Sequence, residues 1–206
     1  MSLEKFDKVF YINCEHRTDR KESIESVFKL VNFNNYERIN AYYIPKNGAL
    51  GCAKSHLMAL KIAKEKNYKN VLILEDDFIL NINPTLFNQN IKRFFNKSLN
   101  WDVLMLSSNL VKYETCNIKF LLKVIEAQTT SGYAVNNHYF NKLIENFSEA
   151  EKLLENAERV NGWYIDAIDQ YWKKLQSDNW FSFNPVLGKQ SDGYSDIEKR
   201  EVNYGC

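Results

Sequence analysis

The sequence predicts an α/β sandwich, helices packed on a central, mostly parallel but mixed sheet. Short apolar runs such as VFYI (9–12) and VLIL (71–74) are strand-like in length. Amphipathic segments with a 3.6-residue period lie between them, and the strands are apolar on both faces, as in a sheet covered by helices on each side.

KVFYIN (8–13) reads as a buried first strand, and polar residues after it lead to a helix carrying Ile24, Val27 and Phe28. YERINAYY (36–43) is a short second strand, followed by a loop marked by Pro45, Gly48 and Gly51. Leu50, Ala53, Leu57, Leu60 and Ala63 share one face of a helix that ends at Asn67, and NVLILE (70–75) is the third strand. Past Pro84, Leu86, Phe87, Ile91, Phe94 and Phe95 mark another helix before a fourth strand, WDVLMLS (101–107). IKFLLKVIEA (118–127) and GYAVN (132–136) are expected to be a strand pair around QTTS (128–131), the pair that makes the sheet mixed. Helices are expected over 137–156 and 163–175, and NWFSFNPVL (179–187) is a late strand.

A chain of 206 residues with 45% hydrophobic and 26% charged content fits one globular domain, 1–206. A net charge of +1 supplies no basic field for nucleic acid. No stretch approaches the roughly 20 apolar residues of a membrane span. MSLEKFDKVFYIN is not a signal peptide, so a cytoplasmic protein is expected, with peripheral membrane association left open. Cys14, Cys52, Cys116 and Cys206 show no CxxC and no Cys/His ligand pair, and read as reduced thiols.

Glu75, Asp76 and Asp77 interrupt the apolar run VLILEDDFIL at the carboxyl end of the third strand, where α/β sheets place ligands. Adjacent carboxylates that stay ionised favour a hard divalent cation shared with phosphate oxygens; the plainer alternative is an exposed acidic turn. A phosphoryl-receiver domain would need an Asp where the fourth strand ends in Ser107, and a late Lys-Pro that is absent. A dehalogenase-type site would need Asp-x-Asp-x-Thr/Val, which DDFIL does not supply. A nucleotide-sugar transferase, with a metal on the donor diphosphate, is the third candidate.

Six segments, VFYINCEHRTDR (9–20), GALGCAKSHLMAL (48–60), NVLILEDD (70–77), TTSGYAVN (129–136), YIDAID (164–169) and PVLGKQSDGYSDI (185–197), occur in the order and at the spacing of a known family. The chain resembles glycosyltransferase family 25, which contains lipooligosaccharide and procollagen galactosyltransferases. The resemblance implies a GT-A-type, Rossmann-like fold and a metal-dependent, inverting transferase. It would use Mn²⁺ (or Mg²⁺) and a UDP-hexose, galactose before glucose, and glycosylate a glycan, glycolipid or protein.

By that resemblance Asp77 and Glu75 hold the metal, and Asp76 contacts the ribose, the sugar or ligand waters. Asn13, Arg17 and Arg20 follow the first strand, the arginines placed to pair with diphosphate; the alternative is a solvated helix-start pair. Ser55 and His56 stand near the donor pocket, with a buried supporting histidine as the plainer alternative. Gly132 offers close backbone approach and Tyr133 a ring for the sugar. Asp166 is the base that deprotonates the acceptor, and Trp163, Tyr164 and Trp172 suit a sugar-binding rim or simple core packing. Gln190 and Ser195 belong to a loop closing over the diphosphate. No late histidine is present to join the metal, which leaves water, Asp196 or nothing to complete its shell. A non-catalytic sugar-nucleotide- or glycan-binding module of the same fold is the alternative from another functional class.

Overall fold

The structure, a computed structural model, describes residues 2–158, 164–195 and 200–202. Its elements are β1 (Lys8–Asn13), α1 (Thr18–Leu30), β2 (Tyr36–Asn40), α2 (Gly48–Glu65), β3 (Asn70–Glu75), β4 (Phe78–Leu80), α3 (Pro84–Phe95), β5 (Val103–Thr115) and β6 (Leu121–Asn136). α4 (Phe140–Leu154), α5 (Ile168–Tyr171), β7 (Trp180–Phe183), β8 (Gly188–Gln190), β9 (Gly193–Ser195) and β10 (Arg200–Val202) complete them.

Six strands form one sheet in the order β2-β1-β3-β6-β5-β7. β1 runs parallel to β2 and β3, and β5 runs parallel to β7, while β6 is antiparallel to its neighbours. A mostly parallel, mixed sheet is therefore what forms, with both faces apolar. Phe10, Ile12, Val71 and Ile73 pack with α2 and α4 residues such as Leu57 and Phe147. The alternate side chains Val9, Tyr11, Leu72 and Leu74 pack with Phe28 of α1 and Phe87, Ile91 and Phe94 of α3. Each such side chain contributes about 1.5–3 kcal/mol when fully buried.

Helix starts follow local chemistry. Asn47 caps α2 by accepting the Leu50 amide at 3.0 Å, and Asn83 caps α3 from Thr85 at 2.7 Å with Pro84 in the first turn. Gly51 is required within α2, because a Cβ there would lie 2.3 Å from the Tyr42 carbonyl.

Two expectations are corrected. Residues 118–127 and 132–136 are not two strands around a turn: Leu121–Asn136 is one strand, irregularly paired with β5. The helix expected over 163–175 is a four-residue α5 followed by a 3₁₀ turn, Trp172–Leu175; residues 159–163 lie outside the described residues. The third strand ends at Glu75 as expected, and the apolar residues after the acids form a separate strand, β4, that pairs with β8. No described helix is long and apolar enough to cross a membrane.

Candidate active site at the carboxyl end of the third strand

Glu75 is the last residue of β3, and the chain turns at Asp76 and Asp77 before β4. β1 ends alongside, with Ile12 in register with Glu75, so Asn13 projects beside the acids. Asn13 Nδ2 donates to Asp76 Oδ2 at 2.7 Å and to the Arg17 carbonyl at 3.0 Å, and its Oδ1 accepts from Arg38 Nε at 3.0 Å. Arg20, in the first turns of α1, donates from Nη1 to Asp76 Oδ1 at 3.1 Å and to Asp77 Oδ2 at 3.3 Å. Its Nη2 donates to the Tyr194 carbonyl at 2.8 Å.

Pairing of β4 with β8 carries Gln190 over the acidic turn. Gln190 Nε2 donates to Asp77 Oδ2 at 3.3 Å, and the Ser191 amide donates to the Asp77 carbonyl at 2.8 Å. Thr129 Oγ1 donates to Gln190 Oε1 at 3.2 Å, and the Thr129 amide to Asp169 Oδ2 at 3.2 Å. Thr129 has φ of 79°, an unusual conformation for a β-branched residue and one that clusters at functional sites.

On the other side of Glu75, His56 Nε2 lies 3.1 Å from Glu75 Oε1 and its Nδ1 lies 2.9 Å from the Tyr133 hydroxyl. Thr130 Oγ1 donates to the same Glu75 oxygen at 2.5 Å. Ser55 Oγ donates to the Gly51 carbonyl at 2.6 Å and accepts the Tyr42 amide at 2.9 Å, tying the loop after β2 to α2.

The environment makes the three acids unequal. Burial, then the charge of Glu75, pushes Asp77 up to about 7 despite Arg20. Burial also raises Asp76, outweighing Arg20 and Asn13. Burial would raise Glu75 as well, but hydrogen bonding and charge from His56, with the Thr130 bond, bring it below the usual range. Arg20 itself is raised: burial opposes its charge, and Asp77 and Asp76 overcome that. One atom stands apart: Asp77 Oδ1 is buried without a hydrogen-bond partner.

A cleft opens above this group. Asn13, Arg20, Ser55, His56, Glu75, Asp76, Asp77, Gln190 and Ser195 all line it, as do Cys14, Cys52, Tyr42 and Tyr43. Four sequence candidates are placed differently. Arg17 forms a fork to Asp19 (3.0 and 2.8 Å) and reaches the Tyr194 carbonyl at 3.5 Å, outside the cleft lining. Gly132 faces packing: a Cβ there would lie 2.8 Å from the Phe78 ring. Tyr133 is fully buried, edge-on to Trp172, so it cannot stack on a sugar; its hydroxyl holds His56 instead. Asp166 lies half-buried in the turn before α5, not at helical spacing to Asp169, and makes no hydrogen bond or ion pair among the described residues.

Trp172 is a core residue and Tyr164 half-buried, whereas Trp163 and Asp196 lie outside the described residues. Sequence reasoning did not pair Cys52 with His56, which the structure brings together. Cys52 and His56 are one turn apart on α2, and Cys52, His56 and Glu75 bring ligand atoms within 4.8 Å of one another. Sequence reasoning also missed Arg38, Thr129 and Thr130. Their signal was position: Arg38 sits near the end of β2 beside Asn13, and the two threonines sit where β6 passes the end of β3.

Comparison with known proteins gives concordant results. The sequence profile of Glycosyltransferase family 25 (LPS biosynthesis protein) matches residues 46–167. No curated protein matches the chain in sequence. Among solved structures, the chain is similar to a glycosyltransferase involved in the glycosylation of the major capsid of PBCV-1, with a TM-score of 0.55 and 13% identity over 93% of this chain and 95% of that one. It is also similar to A197 from STIV, with a TM-score of 0.50 and 14% identity over 95% of this chain and 92% of that one. At these identities the likeness is one of fold.

Proposed function

The chain belongs to glycosyltransferase family 25, and from this we propose that it moves a hexose, galactose first and glucose next, from a UDP-sugar to a hydroxyl of a glycan, glycolipid or protein acceptor. The observation that carries the proposal is the cleft itself. Three carboxylates at the carboxyl edge of the sheet line it together with Asn13, Arg20, Gln190 and Ser195, a few convergent polar groups in a concave site that suit a nucleotide-sugar.

A hard divalent ion, Mn²⁺ or Mg²⁺, fits the donor set. Asp77 Oδ1 is buried without a partner, and oxygen ligands are what such ions take. Asp77 would hold it, with the second carboxylate oxygen of Glu75, since Oε1 already meets His56 and Thr130. When bound, the ion neutralises charge developing on the departing diphosphate. Asp76, held between Asn13 and Arg20, would contact the ribose, the sugar or ligand waters.

The proposed reaction inverts the anomeric centre. The acceptor oxygen bonds to the anomeric carbon as the bond from that carbon to the diphosphate oxygen breaks, and UDP leaves with the electron pair. Asp166 takes the acceptor proton. It is free of hydrogen bonds and ion pairs among the described residues, whereas Asp169 is committed to the Thr129 amide.

The test is thermal stabilisation by a panel of UDP-sugars with Mn²⁺, alongside slow donor hydrolysis. A shift for UDP-galactose or UDP-glucose that vanishes in Asp77→Ala is expected. No shift with any donor, with or without metal, would overturn the donor assignment.

A further inference from the structure

Beside the carboxylates proposed for the donor metal lies a different set of donor atoms. The geometry points to a second site, for a borderline-soft divalent ion of the Zn²⁺ class, made by Cys52 Sγ, His56 Nε2 and a Glu75 carboxylate oxygen.

Three observations support it. The ligand atoms of the three residues already lie within 4.8 Å of one another, and they come from two rigid elements, α2 and the end of β3. Cys52 and His56 are four residues apart on one helix, so both point the same way, as helical metal-ligand pairs do. The supporting shell is also built. The Tyr133 hydroxyl, 2.9 Å from His56 Nδ1, can accept a hydrogen bond from Nδ1–H, so that an ion would take the Nε2 lone pair in place of the direct Glu75 contact. Thr130 orients the Glu75 carboxylate from 2.5 Å. Tyr133 is locked by Trp172, which fixes its hydroxyl in turn.

Ligand chemistry separates this site from the first. Sulfur and imidazole select Zn²⁺ or Co²⁺ over Mg²⁺ and Mn²⁺, which prefer the oxygen-only set around Asp77. Cys52, His56 and Glu75 all line the cleft, so three protein ligands would leave a fourth position facing it. Binding displaces the Cys52 thiol proton to solvent. The inference does not rest on the donor assignment, although Glu75 is common to both, so a soft ion would oppose a hard one.

Co²⁺ titration of the full chain, without nucleotide, tests this. About one equivalent should bind and produce an intense near-ultraviolet thiolate-to-cobalt charge-transfer band, with visible bands of tetrahedral strength. Cys52→Ser should abolish the charge-transfer band, whereas Cys14→Ser and Cys116→Ser should retain it. Tyr133→Phe should weaken binding by about 10–100-fold while keeping the band. X-ray absorption of the Zn²⁺-loaded natural sequence gives an answer independent of variants: one sulfur in the ion's shell is expected. A shell without sulfur, or a charge-transfer band that survives in Cys52→Ser, would overturn the site. Failure of UDP-sugars to bind would leave these readouts unchanged, so the two proposals fail separately.

Discussion

Gln190 Nε2 donates to Asp77 Oδ2 at 3.3 Å, joining a strand near the carboxyl end of the chain to an acid 113 residues earlier. The bond satisfies one oxygen of Asp77 and leaves Oδ1 buried without a partner. That imbalance has a consequence for stability. Burial first, and then Glu75, raises Asp77 from 3.8 to about 7. At low pH the carboxyl is protonated in both folded and unfolded chains, and the group's contribution is fully present. As pH rises from about 4 through about 7 the unfolded chain ionises first, so the contribution is lost across that window, about 2–4 kcal/mol in all. In chelator, urea unfolding should show this decline for the natural sequence and a flatter profile for Asp77→Asn. Parallel profiles for the two proteins would contradict the assignment.

Arg20 is the counterpart of that charge. It serves Asp76 and Asp77 from one nitrogen, and its side chain is 18% exposed. Removing it leaves two mostly buried carboxylates facing each other. Arg20→Gln should therefore destabilise the metal-free protein by about 2–3 kcal/mol at pH 8, below the range for fully buried pairs because the guanidinium is partly solvated. The loss should shrink at pH 5 as the acids protonate. Melting temperatures at the two pH values measure it.

The acidic turn is also held by packing. The fully buried Phe78 ring fills space left by two glycines: a Cβ at Gly188 would lie 2.1 Å from it, and one at Gly132 2.8 Å. Gly188→Ala should cost about 1–3 kcal/mol from overpacking. Combining it with Phe78→Leu should recover part of that loss, because the smaller side chain yields the space. Strictly additive losses in the double variant would show that the two positions do not share it.

How far this site could be foreseen depends on what each segment signals. Phe87, Ile91 and Phe94, or Leu57 and Leu60, repeat at helical spacing, and the strands β1 and β3 are apolar on both faces, so α2, α3 and the sheet core were legible. QTTS was not, because polar residues look the same in a turn and in a strand crossing a polar site. Here they cross one: Thr130 meets Glu75, and Ser131 meets Ser107 at 2.6 Å. Periodicity also cannot distinguish an α-helix from a short turn followed by a 3₁₀ segment, which is why residues 163–175 were misjudged. The motif residues near β3 could be placed by their strand-end position. Cys52 could not, since its partner Glu75 is on another element and the sheet alone brings them together.

Asp166 and Asp169 give the last prediction, since their environments differ enough to separate roles. Asp169 Oδ2 accepts the Thr129 amide at 3.2 Å, and burial raises its carboxyl. Through Thr129 it is linked to Gln190 and so to Asp77. Asp166 has no such bond among the described residues. As the proposed base, Asp166→Asn should keep UDP-sugar binding, measured by thermal shift, while lowering kcat by about 10²–10⁴-fold. Asp169→Asn should instead lower stability and weaken donor binding, because the support beneath Thr129 and Gln190 is altered. Unchanged turnover in Asp166→Asn would remove it as the base. Full donor binding with lost turnover in Asp169→Asn would move the role three residues along, to an acid that must first release the Thr129 amide.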